Sequence, residues 1–305
     1  MKRSTLTALV LGVIFVAALE LALTHSNSKN SSNHKLQVVA AENFWGSLVS
    51  QLGGNRVQVT SIVSDPNADP HEYESNAKDA RDFATANYVI LNGVGYDTWA
   101  NKLLSAQPEA GRKVLTVGTL VGKKEGDNPH LWYNPAYVNV AVVQMDKDLI
   151  ALDPSSKAYY QQQLKNLDAS LSGYQNRIKS IKQQYGGTKV AATEDIFAYL
   201  ANAAGLDLVS PPAFIQAVAE GNDPPTDSVV QFQQQLESGQ VRVLAYNEQT
   251  VTPLTTSIKQ LAAQQNIPVI GITETIQPPD TTFQDWMNAE LINLENALNA
   301  NTLGQ

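Results

Sequence analysis

The chain has 305 residues, 43% hydrophobic and 16% charged, with a formal net charge of -8 and no cysteine. That length suits two α/β domains better than one hydrophobic core. The acidic balance excludes a nucleic-acid partner, whose phosphates need basic patches, and without thiolates or disulfides any metal must be held by His, Asp and Glu.

Met1-Lys-Arg-Ser-Thr-Leu opens the chain, followed by an apolar stretch from Leu6 to Leu19 that Glu20 interrupts. A basic start and ~14 apolar residues predict an export signal or N-terminal anchor over residues 1–24, short for a stable membrane span. The protein is therefore expected outside the cytoplasm, with membrane association through an uncleaved leader left open. No Cys follows the apolar run, so a lipoprotein is not expected. Residues 25–35, rich in Ser, Asn and Lys, read as a flexible polar tether, and His25 and His34 within it as bystanders.

From Leu36 onward, short β-branched runs alternate with amphipathic ones. Leu36–Ala40, Val57–Val63, Tyr88–Leu91 and Lys113–Val117 read as strands; Asn43–Leu52, Asn76–Ala86 and Asp97–Leu104 read as helices. Strands spaced by helices imply a parallel sheet with crossover connections, whose ligands bind beyond the carboxyl ends of the strands. This N-terminal lobe spans 36–152.

After Pro154 no proline and a single glycine occur before Tyr185, while Leu164, Leu167, Leu171, Tyr174, Ile178, Ile181 and Tyr185 recur at spacings of three and four. The pattern predicts one long helix within 153–186, roughly 45 to 50 Å at ~1.5 Å per residue, either packed along one domain or joining two. Because the α/β alternation restarts after Gly186-Gly187, the joining role is the expected one. The C-terminal lobe, 187–305, is read as strands at Thr188–Thr193, Leu206–Val209, Val241–Tyr246 and Ile267–Ile272. Its helices are expected at Asp195–Ala204, Asp227–Leu236, Pro253–Gln265 and Thr282–Leu298, with a Pro-rich loop from Ser210 to Pro225. The expected fold class is α/β: two lobes, each with a mainly parallel sheet flanked by helices, joined by one long helix.

His71 and His130 are the only histidines beyond the tether. Each follows a proline in a polar loop after a strand, and the restricted backbone around an X-Pro step presents the imidazole at little ordering cost. Two imidazoles rarely hold a divalent ion alone. Glu194 and Glu274 are the first acidic groups after the strands Lys189–Thr193 and Val269–Thr273, and Asp195, Glu248, Asp65 and Asp69 compete for the same role.

The sequence also resembles a known family. Asp69-Pro-His-Glu-Tyr-Glu, Asn128-Pro-His-Leu-Trp, Thr193-Glu-Asp-Ile-Phe-Ala-Tyr-Leu and Ile272-Thr-Glu-Thr-Ile, in that order, resemble the zinc/manganese-binding receptors of ATP-driven metal importers. Val39-Ala-Ala-Glu-Asn-Phe-Trp-Gly and Leu91-Asn-Gly-Val-Gly-Tyr-Asp-Thr-Trp resemble it too, so that the likeness runs from Gln37 to Leu298. It implies a receptor whose long helix limits lobe motion and whose metal ligands map to His71, His130, Glu194 and Glu274. Glu194 matches a position that is Glu in many manganese-type members and His in many zinc-selective ones; Glu274 stands where the family usually has Asp. The stretch Gly122-Lys-Lys-Glu-Gly-Asp-Asn is short and lacks the His-rich loop of many zinc-selective members.

The implied ligand is Zn²⁺ or Mn²⁺ and the implied partners are a membrane permease and a separate ATPase subunit, the receptor itself acting as a monomer. Two neutral imidazoles and two carboxylates would neutralise a divalent cation, with affinity expected to fall as pH drops through roughly 6.5. His-Glu-x-x-His, Gly-x-Ser-x-Gly and phosphate-loop motifs are absent from the sequence, so no enzyme is expected. A metal-dependent hydrolase using the same four ligands, and a surface adhesin, are the alternatives.

Overall fold

Strand β1, Leu36–Glu42, opens the computed structural model, which describes residues 35–67 and 69–300. The expected signal (1–24) and the tether, Lys35 apart, lie outside the described residues. Val38 and Ala40 of β1 point into one cluster of buried side chains, Val39 and Ala41 into another. Burial on both faces is the condition of a parallel sheet covered by helices on either side, and it explains why the strand reads as a continuous apolar run.

Helix α1 (Asn43–Gly53) carries the chain to β2 (Val57–Val63), and α2 (Ala77–Thr85) carries it to β3 (Tyr88–Leu91). Helix α3 (Thr98–Ala106) leads to β4 (Lys113–Thr116), which runs directly into the short α4 (Val117–Leu120). All pairings are parallel, in the order β2-β1-β3-β4. In that order the chain reverses direction across the sheet between β1 and β3, which opens a crevice at their carboxyl ends.

Helix α5 (Pro135–Leu152) is absent from the elements expected above, although its signals are present in the sequence. Asn134 caps it by accepting from the backbone N–H groups of Ala136 and Tyr137, Pro135 occupies the first turn, and Val138, Ala141, Val142, Met145 and Leu149 are buried at helical spacing. A 3₁₀ turn, Pro154–Ser156, precedes the long α6 (Lys157–Tyr185, 29 residues). At ~1.5 Å per residue α6 runs about 43 Å, slightly under the expected length. Leu167, Leu171, Tyr174, Ile178 and Ile181 of the expected stripe are buried, whereas Leu164 and Tyr185 at its ends are half-buried. Each buried aliphatic contributes roughly 1.5–3 kcal/mol, far more than intrinsic helix propensity supplies.

The second lobe repeats the first. Strand β5 (Lys189–Ala192) is followed by a 3₁₀ turn, Asp195–Phe197, and α7 (Ala198–Ala203), so the helix expected from Asp195 divides in two. Next come β6 (Asp207–Leu208) and α8 (Pro212–Ala219). The latter lies where a Pro-rich loop was expected: the proline occupies the first turn of a helix, and Phe214, Ile215 and Val218 are buried on one face. Helix α9 (Thr226–Glu237), β7 (Leu244–Asn247), α10 (Pro253–Gln264), β8 (Val269–Ile272) and α11 (Phe283–Ala300) complete the lobe. The parallel order is β6-β5-β7-β8, the topology of the first sheet again.

Helix α6 packs against α1 and α5 on one side and against α7 and α11 on the other. One cluster of buried side chains runs through it, from Val38 and Ile90 of the first sheet to Ala192 and Ile272 of the second. The long helix is therefore the spine joining two lobes, as expected. Among the described residues no helix is long and apolar enough to cross a membrane.

Candidate metal site

His71 follows β2, in the 3₁₀ turn Pro70–Glu72, where the Asp69 side chain accepts a hydrogen bond from the His71 backbone N–H at 2.9 Å. His130 lies in the segment after α4, immediately ahead of the turn Leu131–Tyr133. Behind it Trp132 stacks on Phe44 at 4.1 Å between ring centroids, so that the imidazole rests on an aromatic wall. Glu194 leaves the end of β5, and Glu274 leaves the end of β8. The Gln249 carboxamide oxygen accepts from the Glu274 and Thr275 backbone N–H groups at 2.7 and 3.0 Å, which holds that strand end in place.

These four side chains come from both lobes and each offers one ligand atom, all within 4.8 Å of one another. His71 Nε2 lies 3.2 Å from Glu274 Oε2 and 3.7 Å from Glu194 Oε1; His130 Nε2 lies 3.4 Å from Glu194 Oε1 and 3.8 Å from Glu274 Oε2. His130, Glu194 and Glu274 are wholly buried, while His71 lines a cleft of about 870 Å³. Both Nε2 atoms and Glu194 Oε1 are buried without a hydrogen-bond partner. Unpartnered polar atoms converging on one point are what a cation site looks like from the protein's side, because burying them otherwise costs roughly 1–3 kcal/mol each.

The electrostatics agree. Burial alone would push the His71 imidazole down, but the Glu274 charge first, and the Glu194 carboxylate beside it, raise it to about 10. His130 is also raised well above its ordinary range: burial opposes the shift, and Asp195, Glu194 and Glu274 outweigh burial. Burial would raise Glu194 and Glu274, yet the imidazoles hold both below the usual carboxylate range, Glu274 furthest. Two buried carboxylates thus require about two positive charges between them, supplied by two imidazolium groups or by one divalent cation beside neutral imidazoles.

Around these four, further residues orient the donors. His130 Nδ1 lies 2.9 Å from Asn128 Oδ1, which accepts its proton, and 2.9 Å from an Asp195 carboxylate oxygen whose charge acts on the ring, so Nε2 is the nitrogen turned to the centre. Tyr96 donates to Glu274 Oε2 at 2.7 Å. Burial and the Glu274 charge keep that phenol protonated by raising it well above its ordinary value. Asn247, the last residue of β7, donates to Glu194 Oε2 at 2.6 Å and to Glu274 Oε1 at 2.7 Å. Glu42, at the end of β1, is buried, and burial with the nearby Asp97 raises its carboxyl well above the usual range.

Of the competing carboxylates, Asp195 serves His130 Nδ1, Asp69 caps the His71 turn, Asp65 accepts from the Asn67 backbone N–H at 2.9 Å, and Glu248 packs over Gly271. Sequence reasoning missed Asn247 and Asn128 altogether. The strand-end rule that found Glu194 and Glu274 reaches Asn247 as well, once polar neutral residues are admitted beside acidic ones.

Fold and site together define a class: a two-lobed, helix-spined solute-binding protein whose interlobe donors suit a cation. Residues 38–297 match the family described as the periplasmic component A of the zinc-uptake complex, ZnuA, and the chain belongs to that family. It is 24% identical to the manganese ABC transporter substrate-binding lipoprotein PsaA of Streptococcus mitis, over 93% of this chain and 95% of the relative. It is 27% identical to the iron ABC transporter substrate-binding lipoprotein MtsA of Streptococcus pyogenes serotype M1, over 68% of this chain and 70% of the relative. Among solved structures, a Mn-bound periplasmic metal-binding protein from Candidatus Liberibacter asiaticus superposes with a TM-score of 0.69 at 20% identity, covering 87% of this chain and 100% of the other. A crystal structure of ZnuA gives 0.70 at 21% identity, covering 87% and 99%.

One expectation is corrected by these relatives. The lack of a cysteine speaks against a lipoprotein in the sequence, but the Streptococcus relatives are named lipoproteins, a membrane-anchored and extracytoplasmic class. Cysteine content is too narrow a criterion, since it tests one attachment chemistry in one stretch of sequence and not the class of protein.

Proposed function

We propose that the protein captures a divalent transition-metal ion, Zn²⁺ or Mn²⁺, between its lobes and delivers it to a membrane permease driven by a separate ATPase subunit. His71, His130, Glu194 and Glu274 are the ligands. The receptor works as a monomer and by binding alone, without a catalysed reaction. Its working parts are a lobe over 36–152, the helical spine over 153–186 and a lobe over 187–305. One observation carries the reading: three unpartnered buried donor atoms, two imidazole and one carboxylate, meet a fourth donor at a point between the lobes.

The names of the relatives support the same reading, as they describe metal-importer receptors binding manganese, iron or zinc, and they favour it over the hydrolase and adhesin alternatives. The continuous buried core through α6 supports release by local rearrangement more than by wide hinge opening. Competitive Zn²⁺ and Mn²⁺ titration of the purified protein tests the assignment. Binding one ion per chain, weakened about tenfold or more in both His71→Ala and His130→Ala, is the expected result. Unchanged titrations in both variants would remove the site.

A further inference from the structure

The two carboxylates of the site are not free to choose how they present their oxygens. The Asn247 carboxamide oxygen accepts from the Gln249 backbone N–H at 3.0 Å, and since a backbone N–H can only donate, that contact fixes which end of the amide faces the site. Its Nδ2 is thereby turned toward Glu194 Oε2 at 2.6 Å and Glu274 Oε1 at 2.7 Å, the two shortest of its contacts, with Thr250 Oγ1 further off at 3.1 Å. Thr250 adds a second donor to Glu274 Oε1 at 3.2 Å. Asn247 is buried, so no water competes for these contacts. The oxygens left facing both imidazoles are Glu194 Oε1 and Glu274 Oε2.

We infer that Asn247 sets the donor number of the site: by occupying one oxygen of each glutamate it holds both as single-oxygen donors and biases the receptor toward Zn²⁺ over Mn²⁺. The inference rests on the metal-receptor reading above and adds to it the residue that discriminates between ions. Two imidazole nitrogens and two single carboxylate oxygens make four donors, the number that Zn²⁺ takes in closed sites. Mn²⁺ prefers six ligands rich in oxygen, and the four side chains could supply that number themselves only if both glutamates bound through both oxygens. Such a switch would break the Asn247 contacts and leave its amide protons buried without acceptors. A longer Glu at position 274 therefore does not by itself enlarge the coordination shell, because Asn247 and Thr250 both donate to its Oε1, whereas Oε2, with one hydrogen bond from Tyr96, keeps a lone pair for the ion. Asn247 is a positioning residue and touches no ion.

Co²⁺ reports the donor number directly, since four-coordinate Co²⁺ absorbs visible light strongly and six-coordinate Co²⁺ weakly. The unsubstituted protein loaded with Co²⁺ should give the strong spectrum. Asn247→Leu, which removes both donors at similar volume, should weaken that spectrum and lower the Zn²⁺-to-Mn²⁺ affinity ratio by about tenfold or more. Asn247→Ser, which keeps one hydroxyl donor, should fall between, and it serves if the leucine variant does not fold. A weak spectrum from the unsubstituted protein, or an unchanged spectrum and ratio in the folded variants, would overturn the inference while leaving the receptor reading intact. Failure of the unsubstituted protein to bind Co²⁺, Zn²⁺ and Mn²⁺ would overturn both.

Discussion

The Tyr133 hydroxyl lies 2.8 Å from the backbone carbonyl of Thr273, a residue 140 positions further along the chain and in the other lobe. Tyr133 sits three residues after His130, and Thr273 directly precedes Glu274. The contact therefore pins the segment that carries an imidazole of one lobe to the strand end that carries a carboxylate of the other. Tyr133→Phe removes this buried oxygen and strands its partners, so the expected loss of stability is about 1–3 kcal/mol. Denaturant unfolding of the metal-free protein measures it. A weaker metal affinity should accompany the loss, because both donors lose a shared brace.

Glu290, on α11, accepts from the Thr273 backbone N–H at 3.1 Å and its other oxygen lies 2.8 Å from the same Tyr133 hydroxyl. One phenolic proton cannot serve both Thr273 and Glu290, and the conflict disappears when Glu290 is protonated and donates to Tyr133. Burial pushes this carboxyl from 4.5 up to about 8, against hydrogen bonds from Tyr133 and Thr273 that pull it down. Between those two pH values the folded chain keeps a proton that the unfolded chain has released, so stability falls as pH rises across the window. Glu290→Gln places an amide donor where the acid proton sits and should abolish this dependence. Urea unfolding at pH 5 and at pH 8.5 should show the variant gaining on the parent at the higher pH, on the order of a few kcal/mol.

The raised imidazoles change the expected pH dependence of binding. An ordinary histidine would compete with metal only below roughly 6.5, but His71 is raised to about 10 and His130 is raised as well. Protons therefore compete with the ion throughout the neutral range, and loading near pH 7 should release about two protons per ion. Calorimetric titration in buffers of different ionisation enthalpy counts them. Affinity should still be climbing between pH 7 and 9; a plateau above 6.5 would show that the imidazoles are neutral in the metal-free protein. The stability that the raised His71 contributes without metal is fully present below 6.5 and is lost as pH rises toward 10.

The sequence carried the architecture because its strands, buried on both faces, read as apolar runs and its spine as an apolar stripe from Leu164 to Tyr185. Proline misled it at 210–225, where Pro212 begins α8. The candidate group was legible as far as its charges: His71, Glu194 and Glu274 follow β2, β5 and β8, His130 comes after β4 and the short α4, and histidines are scarce enough to stand out. Asn247, Tyr133 and Glu290 were not legible, since their roles depend on partners 17 to 157 positions away and on burial that strips them of water. A strand end marks the position of an asparagine, but its role shows only when two carboxylates are seen to share its amide.

Asp195 competes for a ligand role by its place in the sequence, and its geometry assigns it a different task. Its carboxylate lies 2.9 Å from His130 Nδ1, on the side of the ring opposite the four converging donors. A negative oxygen there raises the basicity of Nε2 and fixes the tautomer that can donate to a cation. Asp195→Asn keeps the shape but removes the charge, and its amide can turn either end toward the ring. The expected result is a fall in metal affinity of about 10- to 100-fold with unchanged stoichiometry, the behaviour of a residue behind a ligand. Loss of a donor from the first layer would instead appear as a changed Co²⁺ spectrum, so spectrum and affinity measured on one sample separate the two roles.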